Sequence, residues 1–221
     1  MLIAEDLLLL LYDDETGKPI TGSPGLDYAL AGAVLIELTL NRKLDITADG
    51  RGRLQVLDAT PTGDPILDER LAYVAERPGK KPKNQIGPLS KRLRDQLLTR
   101  LAERGVLEAD RGKVLGLFPV TRWPAKDARH EQEVRTQLDA ALGQGLLPDQ
   151  RTAALIALLS ALNIVPKVVT HAVDKRALKR RAKEIADSDW AADAVKKAVS
   201  EMQAAVTASI VVASSAAGSS S

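Results

Sequence analysis

The stretch TGSPGLDYALAGAVLIELTLNRK, Thr21 to Lys43, decides the fold. Ser23 stands where a helix N-cap belongs and Pro24 takes a first-turn position, so a helix is predicted to start there. Leu26, Leu30, Val34, Leu35 and Leu38 recur at helical spacing, and no side chain from Ala29 to Ile36 is polar. A helix apolar on every side belongs inside a core. A second such segment lies in LLPDQRTAALIALLSALNIVP, where only Ser160 is polar between Ala153 and Leu162 and Pro166 marks the stop. Two buried helices require amphipathic partners, and the chain supplies them. Ile3, Leu7, Leu8 and Leu11 form a short stripe that ends at the polar turn Asp13 to Gly17. Asp64 caps a helix carrying Ile66, Leu67, Leu71 and Val74, which stops at Pro78-Gly79. Val134, Leu138 and Ala141 make a thin stripe suited to an outer helix, and Val195, Val199, Met202, Val206 and Ile210 mark a last helix from about 189 to 213. Alternation at Leu44, Ile46, Leu54 and Val56 around the turn residues 49–52 predicts one β-hairpin. A second is read with Val106-Leu107 outgoing, a turn at Asp110 to Gly112, and Val114, Leu115, Leu117 and Phe118 returning. The expected class is mainly α: a single globular domain over 1–213 with a buried helical core ringed by amphipathic helices, small β-hairpins, and a disordered tail over 214–221.

Composition narrows function. The 221 residues are 45% hydrophobic, ample for a core, and 31 Lys and Arg stand against 29 Asp and Glu for a net charge of +2. With no global field, any anion site has to be local. Cysteine is absent, which removes thiolate chemistry and thiolate metal sites and fits a cytoplasmic setting. Aromatics are only 3% with a single Phe, too few for a base-stacking surface. The N-terminus lacks a basic n-region and is interrupted by Glu5 and Asp6, so neither a signal peptide nor a membrane span is expected. There is no phosphate loop, no Gly-x-Ser-x-Gly and no paired-histidine zinc motif. His130 and His171 read as surface residues. The acidic trio Asp13, Asp14, Glu15 reads as a solvated turn rather than a metal cage. An enzyme is not expected, nor a cofactor.

One stretch does suggest chemistry. In GPLSKRLRDQLLTRLAERGVL, Gly87 to Leu107, the residues Leu89, Leu93, Leu97 and Leu101 fall on one face of a helix expected over 89–104. Lys91 and Arg94, three apart on another face, are placed to reach one anion, with Arg92 on the flank. A phosphate is the natural ligand. The linker Lys80, Lys81, Pro82, Lys83 reads as a solvated loop or as an auxiliary phosphate contact. The helix Asp174 to Ile185 carries six Lys and Arg around a narrow Leu178, Ala182, Ile185 stripe, and reads as a solvated outer helix.

The blocks LAGAVLIEL at 30–38, DATPTGDPILDERL at 58–71, LRDQLLTRLAERGVL at 93–107 and LLPDQRTAALIALLSA at 146–161 occur together and in order. In them the chain resembles the Golgi phosphoprotein 3 family, up to about Asp187, and its Ala, Leu and Arg richness suits a bacterial member. The resemblance implies one mostly helical domain with a protruding β-hairpin. It also implies peripheral membrane binding of phosphatidylinositol 4-phosphate through two helix-borne arginines, a third arginine and a tryptophan. The helix-borne pair falls on Lys91 and Arg94, the third arginine on Ala31, and the tryptophan on or near Gly22. Two of the four contacts are thus replaced, and a lysine's point charge stands in for one planar fork. The hairpin residues Val114, Leu115, Leu117 and Phe118 are expected to serve self-association or membrane contact. The lipid reading expects an anionic headgroup, a membrane surface and a homo-oligomer as partners. Alternatives are a winged-helix nucleic-acid module, disfavoured by the near-zero net charge, and a non-catalytic helical scaffold.

Overall fold

The structure, a computed structural model, describes residues 1–47, 49, 51–114, 118–169, 174–187 and 193–218. These form a mainly α single domain. Its centre is α2 (Ser23–Leu40), in which Leu26, Leu30, Ala31, Val34, Leu35, Ile36 and Leu38 are fully buried. Each leucine so placed stabilises the fold by about 1.5–3 kcal/mol relative to exposure. Around α2 pack α1 (Ile3–Leu10), α3 (Pro65–Ala75), α4 (Lys83–Ser90), α5 (Leu93–Glu103), α7 (Gln150–Ala161) and α10 (Asp193–Gly218). An outer layer of α6 (Arg129–Leu142), α8 (Val165–Val168) and α9 (Lys175–Asp187) covers α7. Here α9 turns Leu178, Ala182 and Ile185 inward, so its apolar stripe is already used by the core.

The closest helix contact on α2 is with α10, and glycine makes it possible. A Cβ at Gly32 would stand 2.8 Å from Val206 Cγ2, and one at Gly25 would stand 3.3 Å from Leu162 Cδ2 and 3.6 Å from Ile210 Cδ1. The buried N-terminus of α1 is satisfied by carboxylates from several elements. Glu37 accepts from the Ile3 amide at 2.7 Å and from Arg151 at 2.6 Å, while Glu5 accepts from the Leu2 amide and from Arg100. Helix N-termini favour such negative charge. Asp64 caps α3 as expected, accepting from the Ile66 amide at 2.9 Å, and also receives Arg100 at 2.7 Å.

Two short antiparallel pairs complete the fold. β1 (Leu44–Ile46) pairs with β2 (Leu54–Val56), Leu44 opposite Val56. β3 (Asp110–Val114) pairs with β4 (Phe118–Arg122), Asp110 opposite Arg122 and Val114 opposite Phe118. The turn expected at Asp110 to Gly112 is therefore corrected. Those residues are the outgoing strand, because pairing to Arg122, Thr121 and Val120 outweighs the local turn preference of Asp-Arg-Gly. Val114 lies on that outgoing strand, Phe118 begins the return, and Leu115 and Leu117 lie outside the described residues, as does His171. The hairpin is fixed at its base, where the Trp123 amide donates to Gly17 O at 3.0 Å and the Ala125 amide to Asp14 O at 2.9 Å. Gly17 has φ +61°, and a Cβ there would stand 2.3 Å from Trp123 N, so this junction admits only glycine.

Two further expectations shift. The helix read over 89–104 is two helices, broken at Lys91-Arg92. In the described residues the last helix spans Asp193–Gly218, the expected start near 189 lying outside them, and in the serine-rich stretch the hydroxyls of Ser214 and Ser215 donate to Val211 O and Val212 O. Among the described residues, no helix is long and apolar enough to cross a membrane.

Candidate anionic-ligand site

The break between α4 and α5 governs the site. Pro88 lies inside α4 and removes one backbone donor, and the Ser90 hydroxyl folds back onto Gly87 O at 2.8 Å. Lys91 then turns extended at ψ 126°, and Arg92 takes the left-handed conformation at φ 58°. A non-glycine residue there carries strain, and something has to hold it. Buried Arg70 does so, donating to Lys91 O at 3.2 Å and to Gln96 Oε1 at 2.7 Å while facing Glu69. The leucines keep their common inward face across the break, with Leu89, Leu93, Leu97 and Leu101 all buried. The cations do not keep theirs. Lys91 ends one helix and Arg94 opens the next, so the i to i+3 relation on one helical face is absent.

Arg94 is moreover engaged. Its Nε lies 3.0 Å and its Nη2 3.1 Å from the two carboxylate oxygens of Asp27 on α2, a fork-on-carboxylate pair with both side chains about a quarter exposed. Burial pushes the Asp27 carboxyl above its ordinary range, Arg94 pulls it back, and Asp95 raises it again. Burial likewise raises the Tyr12 hydroxyl, and Arg94 opposes that shift too. The guanidinium thus neutralises a half-buried acid rather than facing out for a ligand. Lys91 and Arg92 are exposed, and no ion pair is made by either among the described residues. Arg92 lines a groove of about 590 Å³ that also holds Asp95, Arg100 and Glu103, a mixed-sign surface.

The other two positions of the implied site are as far from a phosphate pocket in kind. Ala31 is 0% exposed, inside the core. Gly22 is exposed, with nothing within 4 Å of where a Cβ would stand, and it lines an apolar groove with Leu162, Ile210 and Val211, without Lys91 or Arg94. The four positions therefore do not converge on one hollow. On α5 and at its C-cap the remaining cations are also spoken for: Arg100 contacts Glu5 and Asp64, and Arg104 contacts Glu5. A winged-helix recognition surface would need those charges free.

Among the described residues, exposed cations without an ion pair run along α9, at Lys175, Arg176, Lys179 and Lys183, and along α4. Lys80, Lys81 and Lys83 precede or open it, and Lys91 and Arg92 follow it, all exposed. No Asp or Glu occurs from Arg77 to Arg94, and none of the five cations makes an ion pair among the described residues. In sequence the 80–83 linker reads as a solvated loop or, at most, as an auxiliary phosphate contact. No local signal marks the pairing of Arg94 with Asp27, 67 positions away. The acidic trio after α1 is a turn as read: Asp13 accepts from the Thr16 amide and hydroxyl, each at 2.7 Å.

Comparison with known proteins bears on all of this. The model of the family described as Golgi phosphoprotein 3 (GPP34) matches residues 3–202. The vacuolar protein sorting-associated protein 74 of Eremothecium gossypii is 24% identical over 203 residues, covering 76% of this chain. The chain spans 61% of that relative's length. A bacterial origin is not borne out.

Proposed function

The chain belongs to the Golgi phosphoprotein 3 family, and on that premise we propose that it is a peripheral membrane protein that binds an anionic phospholipid headgroup. The ligand class is phosphatidylinositol 4-phosphate or a related phosphoinositide, met on the cytoplasmic face of a membrane. It acts by binding rather than catalysis. The observation that carries this reading is the band of five exposed cations from Lys80 to Arg92, none ion-paired among the described residues, in a stretch of sequence free of carboxylates. Each Lys or Arg near an anionic bilayer contributes about 1 kcal/mol, so five give about 5 kcal/mol, a sub-millimolar attachment that needs a second contribution. Self-association supplies one by avidity, and the β3–β4 hairpin with Val114, Leu115, Leu117 and Phe118 is the segment we assign to it or to direct membrane contact. In this reading Lys91 and Arg92 contribute field, and Arg94 contributes only when Asp27 releases it.

Vesicle co-sedimentation tests the proposal. Capture by vesicles containing phosphatidylinositol 4-phosphate, none by neutral phosphatidylcholine, and weakening by the pair Lys91→Ala and Arg92→Ala are expected. Equal sedimentation with neutral and anionic vesicles, or none with either, would overturn it.

A further inference from the structure

The groove between α4 and the end of α10 has a chemistry unlike the others. It measures about 420 Å³ and is lined by Tyr28 of α2, by Lys83, Asn84 and Pro88 of α4, and by Ser209 and Val212 of α10. No carboxylate lines it, whereas the neighbouring hollow of about 240 Å³ that shares Lys83 includes Glu201. The hollow at α9 pairs Arg180 and Arg181 with Asp174 and Glu184, and the Gly22 hollow is apolar. Within the 420 Å³ groove, the Lys83 ammonium, the Asn84 amide and the Tyr28 hydroxyl have no protein partner among the described residues. Ser209 donates to Ala205 O at 2.8 Å and leaves its oxygen lone pairs to accept.

We infer that this groove binds a phosphorylated polyol headgroup, with Lys83 on the phosphate and Tyr28 and Asn84 on the ring hydroxyls. The inference rests on the lipid reading above and places its ligand away from Lys91 and Arg94. An ammonium with three donors and no competing acid suits a phosphate. The phenol and the amide each donate and accept, which matches hydroxyls rather than a second anion. The volume falls within the range of about 300–1,000 Å³ typical of small-molecule sites, more than a bare phosphate fills. Pro88, Ala208 and Val212 offer an apolar wall for ring C–H groups, with Val212 67% exposed. Ala208, Ser209 and Val212 lie beyond residue 202, where the family match ends.

The full chain is titrated by calorimetry with water-soluble glycerophosphoinositol 4-phosphate and with inorganic phosphate, beside the vesicle assay. Tyr28→Phe keeps the ring and removes one hydroxyl, and Lys83→Ala removes the charge. The inference expects wild type to prefer the inositol phosphate over phosphate, Tyr28→Phe to weaken it severalfold, and the double variant to weaken it at least tenfold. Wild type that captures anionic vesicles while the double variant binds the headgroup as tightly overturns the inference alone. Equal affinity for inorganic phosphate overturns the polyol assignment. Absence of any anionic vesicle capture by wild type overturns the underlying reading.

Discussion

Asp27 decides what Arg94 can do. A paired guanidinium offers a headgroup less while its acid holds it, so Asp27→Asn should loosen it, with the Tyr12 hydroxyl still beside it. Vesicle capture is expected to rise roughly two- to fivefold, the effect of about one added surface cation. Losing a pair whose side chains are about a quarter exposed should cost only about 1 kcal/mol of stability. Co-sedimentation and denaturant unfolding on the same variant read both. Ala31 makes the complementary case. Placing an arginine there buries an unpaired charge in the core, and Ala31→Arg should lower stability by about 3 kcal/mol or more without improving binding. Glu131 gives a pH signature. Burial raises its carboxyl to about 7, with Arg135 pulling it down and Asp14 pushing it up. Because the native state then holds a proton that the unfolded chain has released, stability falls as pH climbs from about 4.5 to about 7 and is level above. Glu131→Gln cannot titrate, so the difference in unfolding free energy between pH 5 and pH 8, on the order of 2 kcal/mol from this group, should shrink. An unchanged difference would show that Glu131 stays ionised throughout. None of these pairings was legible in the sequence, because Asp27 with Arg94 and Asp14 with Glu131 are set by tertiary packing alone.

Among the elements, the contact of α2 with α10 is the most sensitive. Val206 is fully buried with a stiff, short side chain, so the methyl of Gly32→Ala, at 2.8 Å, has nowhere to go. The gain in helix propensity is about 1 kcal/mol and the overpacking costs about 1–3 kcal/mol, so net destabilisation is expected in thermal unfolding. A more stable variant would mean that α10 sits less tightly on α2. The elements themselves were largely legible. The apolar runs of α2 and α7, the Asp64 cap and the β1–β2 pair depend on local pattern, which a sequence carries. The break at Lys91-Arg92 was not read. Arginine carries no preference for a positive φ, and the conformation is held by Arg70, whose partner Lys91 O lies 21 positions away. Pro88 was the local warning. The leucine face survived because inward burial constrains it on either side of the break, whereas exposed cations are under no such constraint.

For the whole molecule, the account places binding on one edge, where α4 with its flanking lysines and the C-terminal part of α10 face solvent together. The opposite candidate, α9, has its apolar stripe committed to the core and two of its arginines near Glu184, at 3.9 and 3.6 Å. Family membership was legible from four sequence blocks, yet the positions carried over from it do not converge here. Side chains alike in sequence position differ in what the fold places around them. Hydrogen–deuterium exchange of the full chain, with and without vesicles containing phosphatidylinositol 4-phosphate, tests the placement most directly. The account predicts added protection over residues 80–92 and over 205–212, with α9 unchanged. Protection confined to α9 or to the β3–β4 hairpin, with α4 exchanging as in the free protein, would contradict it.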